Sequence, residues 1–357
     1  MNKPMRVFVL GIFSIILSAG IFVGYLYWSF VFEPATKDQK QIIFEVTENK
    51  NFITIANELE KENLIKNTHF FNIYAKLTGQ RSKIKVGEYA LNSQMRPKEI
   101  LSIITSGISI SKPLTIPEGY NIFEIAELIE KMGIAKKEEF TKLAFDKKFI
   151  FEVLGHQESS LEGYLYPETY QVTKYMNIKE IIRAQVRQFK NIFKTVLSQS
   201  QSNELNQRQL LILASIIEKE TGNPSERSLI SSVFHNRLKK RMRLQTDPTI
   251  LYGKSLASGK LEMNISKSDI LSKENPYNTY AIPALPPGPI SNPGKAAMMA
   301  AVQPAKTDFL YFVSQNDGTS RFTTTLIEHN KNVKETQLNP KSREGKSWRQ
   351  LQQKEVR

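Results

Sequence analysis

From Val7 to Phe32 the chain carries no charged residue and is mostly apolar. That run is longer than the roughly 20 residues a helix needs to cross the hydrocarbon core of a bilayer. Lys3 and Arg6 precede it, Tyr25, Tyr27 and Trp28 crowd its far end, and Glu33 follows. The positive-inside rule and the aromatic belt then predict a cytoplasmic N-terminus (1–6), a single transmembrane helix (7–32) in the cytoplasmic (inner) membrane, and the remainder on the outer or periplasmic side. A cleaved signal peptide is the rival reading, because Ser18, Ala19 and Gly20 are small. Its apolar region, however, runs only about 7 to 15 residues.

That topology limits the remaining possibilities. There is no cysteine, hence no lipid-attachment cysteine, no disulfide and no thiol nucleophile. A net charge of +14 suits nucleic acid in a cytoplasmic protein, but an external chain meets anionic headgroups or the carboxylates of a wall polymer instead. Nucleic acid is therefore not an expected partner. Part of the excess lies between Lys331 and Arg357, and 341–357 reads as a solvated basic tail. At 357 residues, 40% hydrophobic and 24% charged, two or three folded domains are expected.

Beyond a short polar linker (33–41) the chain repeats itself at an offset of 70 residues. Phe44-Glu45-Val46 reads as a strand, Ile53, Ile55, Ala56 and Leu59 as one helical face, and Phe70 as the start of a second helix. Leu114-Thr115-Ile116, then Phe123, Ile125, Ala126 and Ile129, then Phe140 answer them position by position. Each copy closes on a glycine and tyrosine pair, Gly87-Glu88-Tyr89 and Glu162-Gly163-Tyr164. A strand, two helices and a returning strand make a small α+β module, and the pattern resembles the LysM-like units that bind N-acetylglucosamine polymers. The copies occupy 42–110 and 111–175. The first has Thr47-Glu48-Asn49 where the second has Pro117-Glu118-Gly119, and a structural platform competes with a sugar-binding role. Three helices follow, over about Ile178–Ser198, Asn206–Thr221 and Glu226–Lys240, and Pro/Gly/Asn-rich loops run from Asn275 to Gly294.

The second of those helices carries Leu210, Leu211, Leu213, Ala214, Ile216 and Ile217 around most of its circumference, so burial is expected. Two carboxylates interrupt it. At 100° per residue Glu218 falls between Ala214 and Leu211, and Glu220 between Ile216 and Leu213. Burial raises a carboxyl pKa, as a general acid near neutral pH requires. Pairing with Arg227 or Arg237 is the alternative, and helical geometry does not choose between the two glutamates. Downstream, Arg243, Gln245, Thr246, Asp247 and Thr249 offer groups suited to sugar hydroxyls and acetamides. Tyr277, Asn278 and Tyr280 offer rings that stack on pyranose faces. Capping and turn formation explain the same residue types. His69, His156, His235 and His329 are scattered without metal-ligand spacing, and neither His-Glu-x-x-His nor Gly-x-Ser-x-Gly occurs. No metal and no cofactor are expected.

The string Ala214-Ser215-Ile216-Ile217-Glu218-Lys219-Glu220-Thr221 resembles the catalytic helix of the YceG-like family, the endolytic murein transglycosylases. Val233-Phe234-His235-Asn236-Arg237-Leu238, Met242-Arg243-Leu244-Gln245-Thr246-Asp247-Pro248-Thr249, Tyr277-Asn278-Thr279-Tyr280, Leu285-Pro286-Pro287-Gly288-Pro289-Ile290, Asn292-Pro293-Gly294 and His329-Asn330 follow in order. Upstream, the stretch from Leu161 to Tyr170 matches as well. The resemblance implies an α+β fold: a transmembrane helix, a duplicated LysM-like region and a mixed, helix-rich catalytic domain over 176–340. It implies Glu218 as the catalytic acid, with Glu220 supporting. Gln245, Thr246, Asp247, Tyr277, Asn278 and Tyr280 would bind substrate, and Glu162 and Arg237 would line the same cleft. The implied substrate is the glycan strand of peptidoglycan, cut between N-acetylmuramic acid and N-acetylglucosamine with 1,6-anhydro ring formation and no cofactor. Peptidoglycan synthases are the implied partners. A hydrolytic muramidase, with Asp247 or Glu226 as second carboxylate, and a non-catalytic wall-binding scaffold are the alternatives.

Overall fold

A computed structural model describes residues 3–36, 39–200, 204–220 and 223–338; the basic tail over 341–357 and Thr221 lie outside the described residues. The fold mixes helices with three two-stranded sheets. The first helix, α1 (Lys3–Phe32), contains the stretch Leu10–Phe32, whose mean hydropathy of 2.0 and length suffice to cross a membrane.

One compact unit comprises Met1–Pro113 with Gln171–Met176. It holds β1 (Gln41–Val46), α2 (Phe52–Lys61), α3 (Thr68–Leu77), β2 (Gly87–Asn92) and α4 (Pro97–Ser106). β1 and β2 pair antiparallel with Phe44 opposite Tyr89. Asn51 starts α2 by accepting the Thr54 N–H, which satisfies one of the unpaired donors of a helix start. The buried face of α2 is Phe52, Ile55, Ala56 and Leu59, the i, i+3, i+4, i+7 set. Ile53, expected on that face, is 45% exposed, because Phe52 takes the inward position one residue earlier. The core includes Phe30 and Val31 from the end of α1, together with Phe71, Ile100, Leu101 and Ile104.

The second unit comprises Leu114–Tyr170 and Asn177–Arg357. Strands β3 (Ser111–Thr115) and β4 (Thr169–Thr173) pair with each other, and along them the chain passes between the units. Between these strands lie α5 (Ile122–Lys131), α6 (Lys137–Ala144) and α7 (Lys147–Leu154). Asn121, 70 residues after Asn51, caps α5 in the same way, accepting the Glu124 N–H while the Glu124 carboxylate accepts the Asn121 N–H. Two details depart from the sequence reading. A third helix, α7, is present, and Gly163-Tyr164 sits in a turn rather than in the returning strand. Gly163 has φ +86, and a Cβ there would lie 2.7 Å from Pro289, so this turn requires glycine.

The rest is α8 (Ile178–Ser198), α9 (Gln207–Glu220), α10 (Arg227–Lys239), α11 (Asp247–Ser258), α12 (Lys267–Leu271), α13 (Lys295–Val302), the hairpin strands β5 (Tyr311–Ser314) and β6 (Ser320–Thr323), and α14 (Leu326–Val333). Every residue of α9 from Leu210 to Ile217 is buried. Burying each Leu or Ile there contributes about 1.5–3 kcal/mol. α9 packs on α10, α11 and α13, and the alanines Ala297, Ala300 and Ala301 of α13, all buried, permit a close approach. The loop before α13 is pinned to α9 at Ser215, whose Oγ accepts the Ile290 N–H at 3.0 Å and whose carbonyl accepts the Ser291 hydroxyl at 3.0 Å.

Candidate active site

α9 leaves the core at its last turn, and both glutamates sit there. The Glu218 side chain is 5% exposed. Its Oε1 lies 3.2 Å from Arg227 Nη2, and Arg227 is the first residue of α10. Its Oε2 accepts the backbone N–H of Gly294 at 2.9 Å, and Gly294 caps α13. Gly119 runs alongside: a Cβ there would stand 3.4 Å from Glu218 Cγ, and its φ of +79 favours glycine. The neighbouring Lys219 Nζ donates to the Gly119 carbonyl at 3.2 Å. Burial raises the Glu218 pKa above the ordinary carboxylate value, the Gly294 N–H and Arg227 oppose that rise, and the nearby charge of Glu118 adds to it. The result is a carboxyl biased toward its protonated form, at the edge of solvent, with a donor ready to stabilise its anion.

Glu118 completes the group. Its Oε2 is 4.0 Å from Arg227 Nη2, and the side chain is 49% exposed. A Cβ on Gly294 would fall 1.9 Å from Glu118 Oε1, so the absence of a side chain at Gly294 gives the Glu118 carboxylate its place.

Glu220, two residues on, has other surroundings. Its Oε1 is sealed from solvent with no hydrogen-bond partner among the described residues. Burial, then repulsion by Asp247, pushes its pKa up to about 8 against the attraction of Arg237. Asp247 accepts the Tyr280 hydroxyl at 2.8 Å. Both arginines proposed as ion-pair partners are thus near a glutamate, Arg227 by Glu218 and Arg237 by Glu220.

The predicted substrate residues divide by exposure. Gln245 and Asp247 are exposed and Tyr280 is half-buried. Thr246 is buried at the start of α11, with its N–H bonded to Thr279 Oγ1. Arg237 is buried and donates to the carbonyls of Leu310 and Leu244, both at 2.7 Å. Asn278 is fully buried, its amide donating to the carbonyls of Asp269, Ile270 and Ser272. Tyr277 is buried against Tyr252, with ring centroids 5.1 Å apart, and burial pushes its hydroxyl up to about 12. Glu162 is 1% exposed, accepts N–H groups from Ile122 and Asn292, each at 2.9 Å, and is pushed up to about 8 by burial. Glu226, the other muramidase candidate, accepts the Ser320 N–H at 2.7 Å.

Glu118, the Gly294 amide and the Asn292 side chain were not assigned roles from sequence. Pro117-Glu118-Gly119 was visible as the point where the two repeats differ. Asn-Pro-Gly before an apolar run was visible as a helix start. A cavity of about 690 Å³ between α8 and the N-terminal half of α9, floored by Phe189, Phe193 and Leu211, is lined by none of the residues around Glu218. Among the described residues, no cluster of three or more His, Cys, Asp or Glu could hold a metal ion.

A partly desolvated carboxyl at a helix end, braced by a cation and a backbone N–H, is an arrangement suited to general acid/base chemistry. The chain belongs to the YceG-like family, whose model matches residues 44–335. It is 36% identical over 335 residues to the endolytic murein transglycosylase of Bacillus subtilis (strain 168), covering 89% of this chain and 91% of that protein. It is 31% identical over 355 residues to the endolytic murein transglycosylase of Streptococcus pneumoniae serotype 2, covering 91% of this chain and 64% of that one. A crystal structure of a yceG-like protein from Listeria monocytogenes superimposes with a TM-score of 0.54 at 34% identity, over 83% of this chain and 100% of that one.

Proposed function

We propose that this chain is an endolytic murein transglycosylase with Glu218 as its acid/base. The observation that carries the reading is the Glu218 carboxyl, raised in pKa by burial yet held by the Gly294 N–H and Arg227. Protonated, Glu218 donates to the glycosidic oxygen between N-acetylmuramic acid and N-acetylglucosamine as the bond breaks toward an oxocarbenium-like centre. As a carboxylate it then takes the proton of the muramoyl C6 hydroxyl, whose oxygen closes on the anomeric carbon as a 1,6-anhydro ring. The proton returns to Glu218 and no water is consumed. One carboxylate suffices because the nucleophile belongs to the substrate.

Gln245, Asp247 and Tyr280 are the open groups best placed to meet sugar. Thr246, Tyr277, Asn278, Arg237 and Glu162 shape that surface from beneath. The α1 helix anchors the enzyme in the cytoplasmic membrane with its N-terminus inside, as Lys3 and Arg6 ahead of the apolar run favour, and the rest acts on nascent glycan outside. The two strand-helix-strand regions are read as a LysM-like duplication, supported by the matched caps Asn51 and Asn121, which serves as a wall-binding module or as a structural platform. Peptidoglycan synthases are the expected partners, because an endolytic cut in nascent strands ends their polymerisation.

Hydrolysis is the second reading, favoured by one observation: Glu118 places a second carboxylate beside Arg227 and Glu218. The products separate the two. Full-length protein in detergent, given uncrosslinked glycan, should release anhydro-muramoyl ends, lighter by one water than reducing ends, and Glu218→Gln should abolish them. Reducing ends alone would establish the muramidase. Full activity in Glu218→Gln would remove Glu218 from its role.

A further inference from the structure

Asn292 is fully buried, and each of its polar groups is bonded. Its backbone N–H donates to the Tyr120 carbonyl at 2.9 Å, and its carbonyl accepts the Gly119 N–H at 2.9 Å. Its side-chain amide donates to the Tyr120 carbonyl and to Glu162 Oε1, both at 2.9 Å. Its side-chain oxygen accepts the Leu165 N–H at 2.9 Å. Glu162 in turn accepts the Ile122 N–H at 2.9 Å with its other oxygen. Three loops therefore meet here: the turn after β3 that carries Glu118 and Gly119, the turn containing Glu162 and Leu165, and the loop that ends in Gly294. One of the three bonds Glu218 directly, through the Gly294 N–H, and a second runs beside it at Gly119, where an added Cβ would stand 3.4 Å from Glu218 Cγ.

We infer that Asn292 and Glu162 form a buried positioning pair that holds the Gly294 N–H and the Gly119 backbone against the Glu218 carboxyl. Neither residue touches Glu218. Asn292 acts through Pro293 to Gly294 on one side and through its carbonyl to Gly119 on the other. Glu162 acts by holding the Asn292 amide and the start of α5. A bare loop tie would need only one or two of these bonds, whereas here all four polar groups of one asparagine, itself two residues before Gly294, are spent on the Gly119–Tyr120 segment beside the carboxyl and on the turn that backs it. Buried networks of this kind fix geometry because every broken bond leaves a desolvated group unpaired.

This inference rests on Glu218 being the proton donor, so its test carries its own control. Full-length wild type, Glu218→Gln, Asn292→Ala and Glu162→Gln are compared in detergent by product-resolved kinetics across pH, with melting temperature measured alongside. In wild type, kcat should fall as pH rises and Glu218 deprotonates. Asn292→Ala should lower kcat about 10- to 100-fold with KM within about 2-fold of wild type. It should also move the alkaline limb to higher pH, since the Gly294 N–H no longer favours the Glu218 anion. Glu162→Gln keeps the side-chain size but offers one acceptor to two N–H groups; it should shift the limb the same way by less, and it carries the test if Asn292→Ala does not fold. An unchanged limb in the folded variants, whether kcat is kept or lowered, overturns the inference and leaves the pair a purely structural tie. Activity retained in Glu218→Gln overturns the proton-donor reading instead, and this inference with it.

Discussion

The backbone N–H of Gly294 meets Glu218 Oε2 at 2.9 Å, so the residue that caps α13 and the residue that ends the buried run of α9 share one hydrogen bond. Helix starts favour negative charge. This contact and Arg227 both oppose the burial that raises the Glu218 pKa, and the balance sets the fraction of usable acid near neutral pH.

Two neighbours pull that balance in opposite directions. Glu118→Gln removes a negative charge and should move the alkaline limb of kcat/KM to lower pH, whereas Arg227→Gln should move it higher. A pH series on the full-length enzyme reads both. Shifts of the same sign would contradict the arrangement.

Glu162 and Glu220 make folding pH-dependent. Both are pushed up to about 8 from an ordinary glutamate value of 4.5. Below 4.5 these two glutamates hold the same protons in the folded and unfolded chains. Between 4.5 and 8 the unfolded chain has lost protons that the folded chain keeps, so stability falls as pH rises, by about 1.4 kcal/mol per pH unit for each group. Glu220→Gln should roughly halve that slope in urea unfolding at pH 5, 6, 7 and 8. A slope equal to wild type would mean that Glu220 is ionised in the folded protein.

Asn278 distinguishes a sugar contact from a brace. Its amide serves three carbonyls, so Asn278→Ala should cost about 2–4 kcal/mol of stability and leave the KM of the folded fraction near wild type. A raised KM with an unchanged melting temperature would make it a substrate ligand after all.

Truncating the anchor at Glu33 should weaken the first unit. Phe30 and Val31 are buried in its core, and the Phe30 ring lies 5.7 Å from that of Phe70. Their removal costs about 1.5–3 kcal/mol per side chain. Limited proteolysis should therefore cut Phe52–Leu77 faster in a chain starting at Glu33 than in one starting at Tyr27. Equal rates would show that the end of α1 adds nothing to this core.

The bounds of α8 and α9 could be read from the sequence to within a residue or so, because their apolar spacing is local and long. Ile53 was misplaced for an equally local reason: Phe52 and Ile53 are adjacent apolar residues, and only the packed core decides which turns inward. The start of α11 was hidden because Thr246 and Asp247 are at once good capping residues and groups suited to sugar hydroxyls. Glu218 and Glu220 could not be told apart by counting degrees around a helix. What separates their surroundings is Gly294, Arg227, Gly119 and Asp247, most of them far away in sequence, and no periodicity reports such contacts.

The environment of Glu218 is gathered from far along the chain: its bond to Gly294 spans 76 residues, and that of Lys219 to Gly119 spans 100. Contacts of that range form late, after the entropy of closing long loops has been overcome. A growing chain therefore cannot complete the surroundings of Glu218 until its later segments have been made. Any chain that ends before Gly294 lacks the hydrogen bond that Glu218 receives there, so the site is completed late in synthesis.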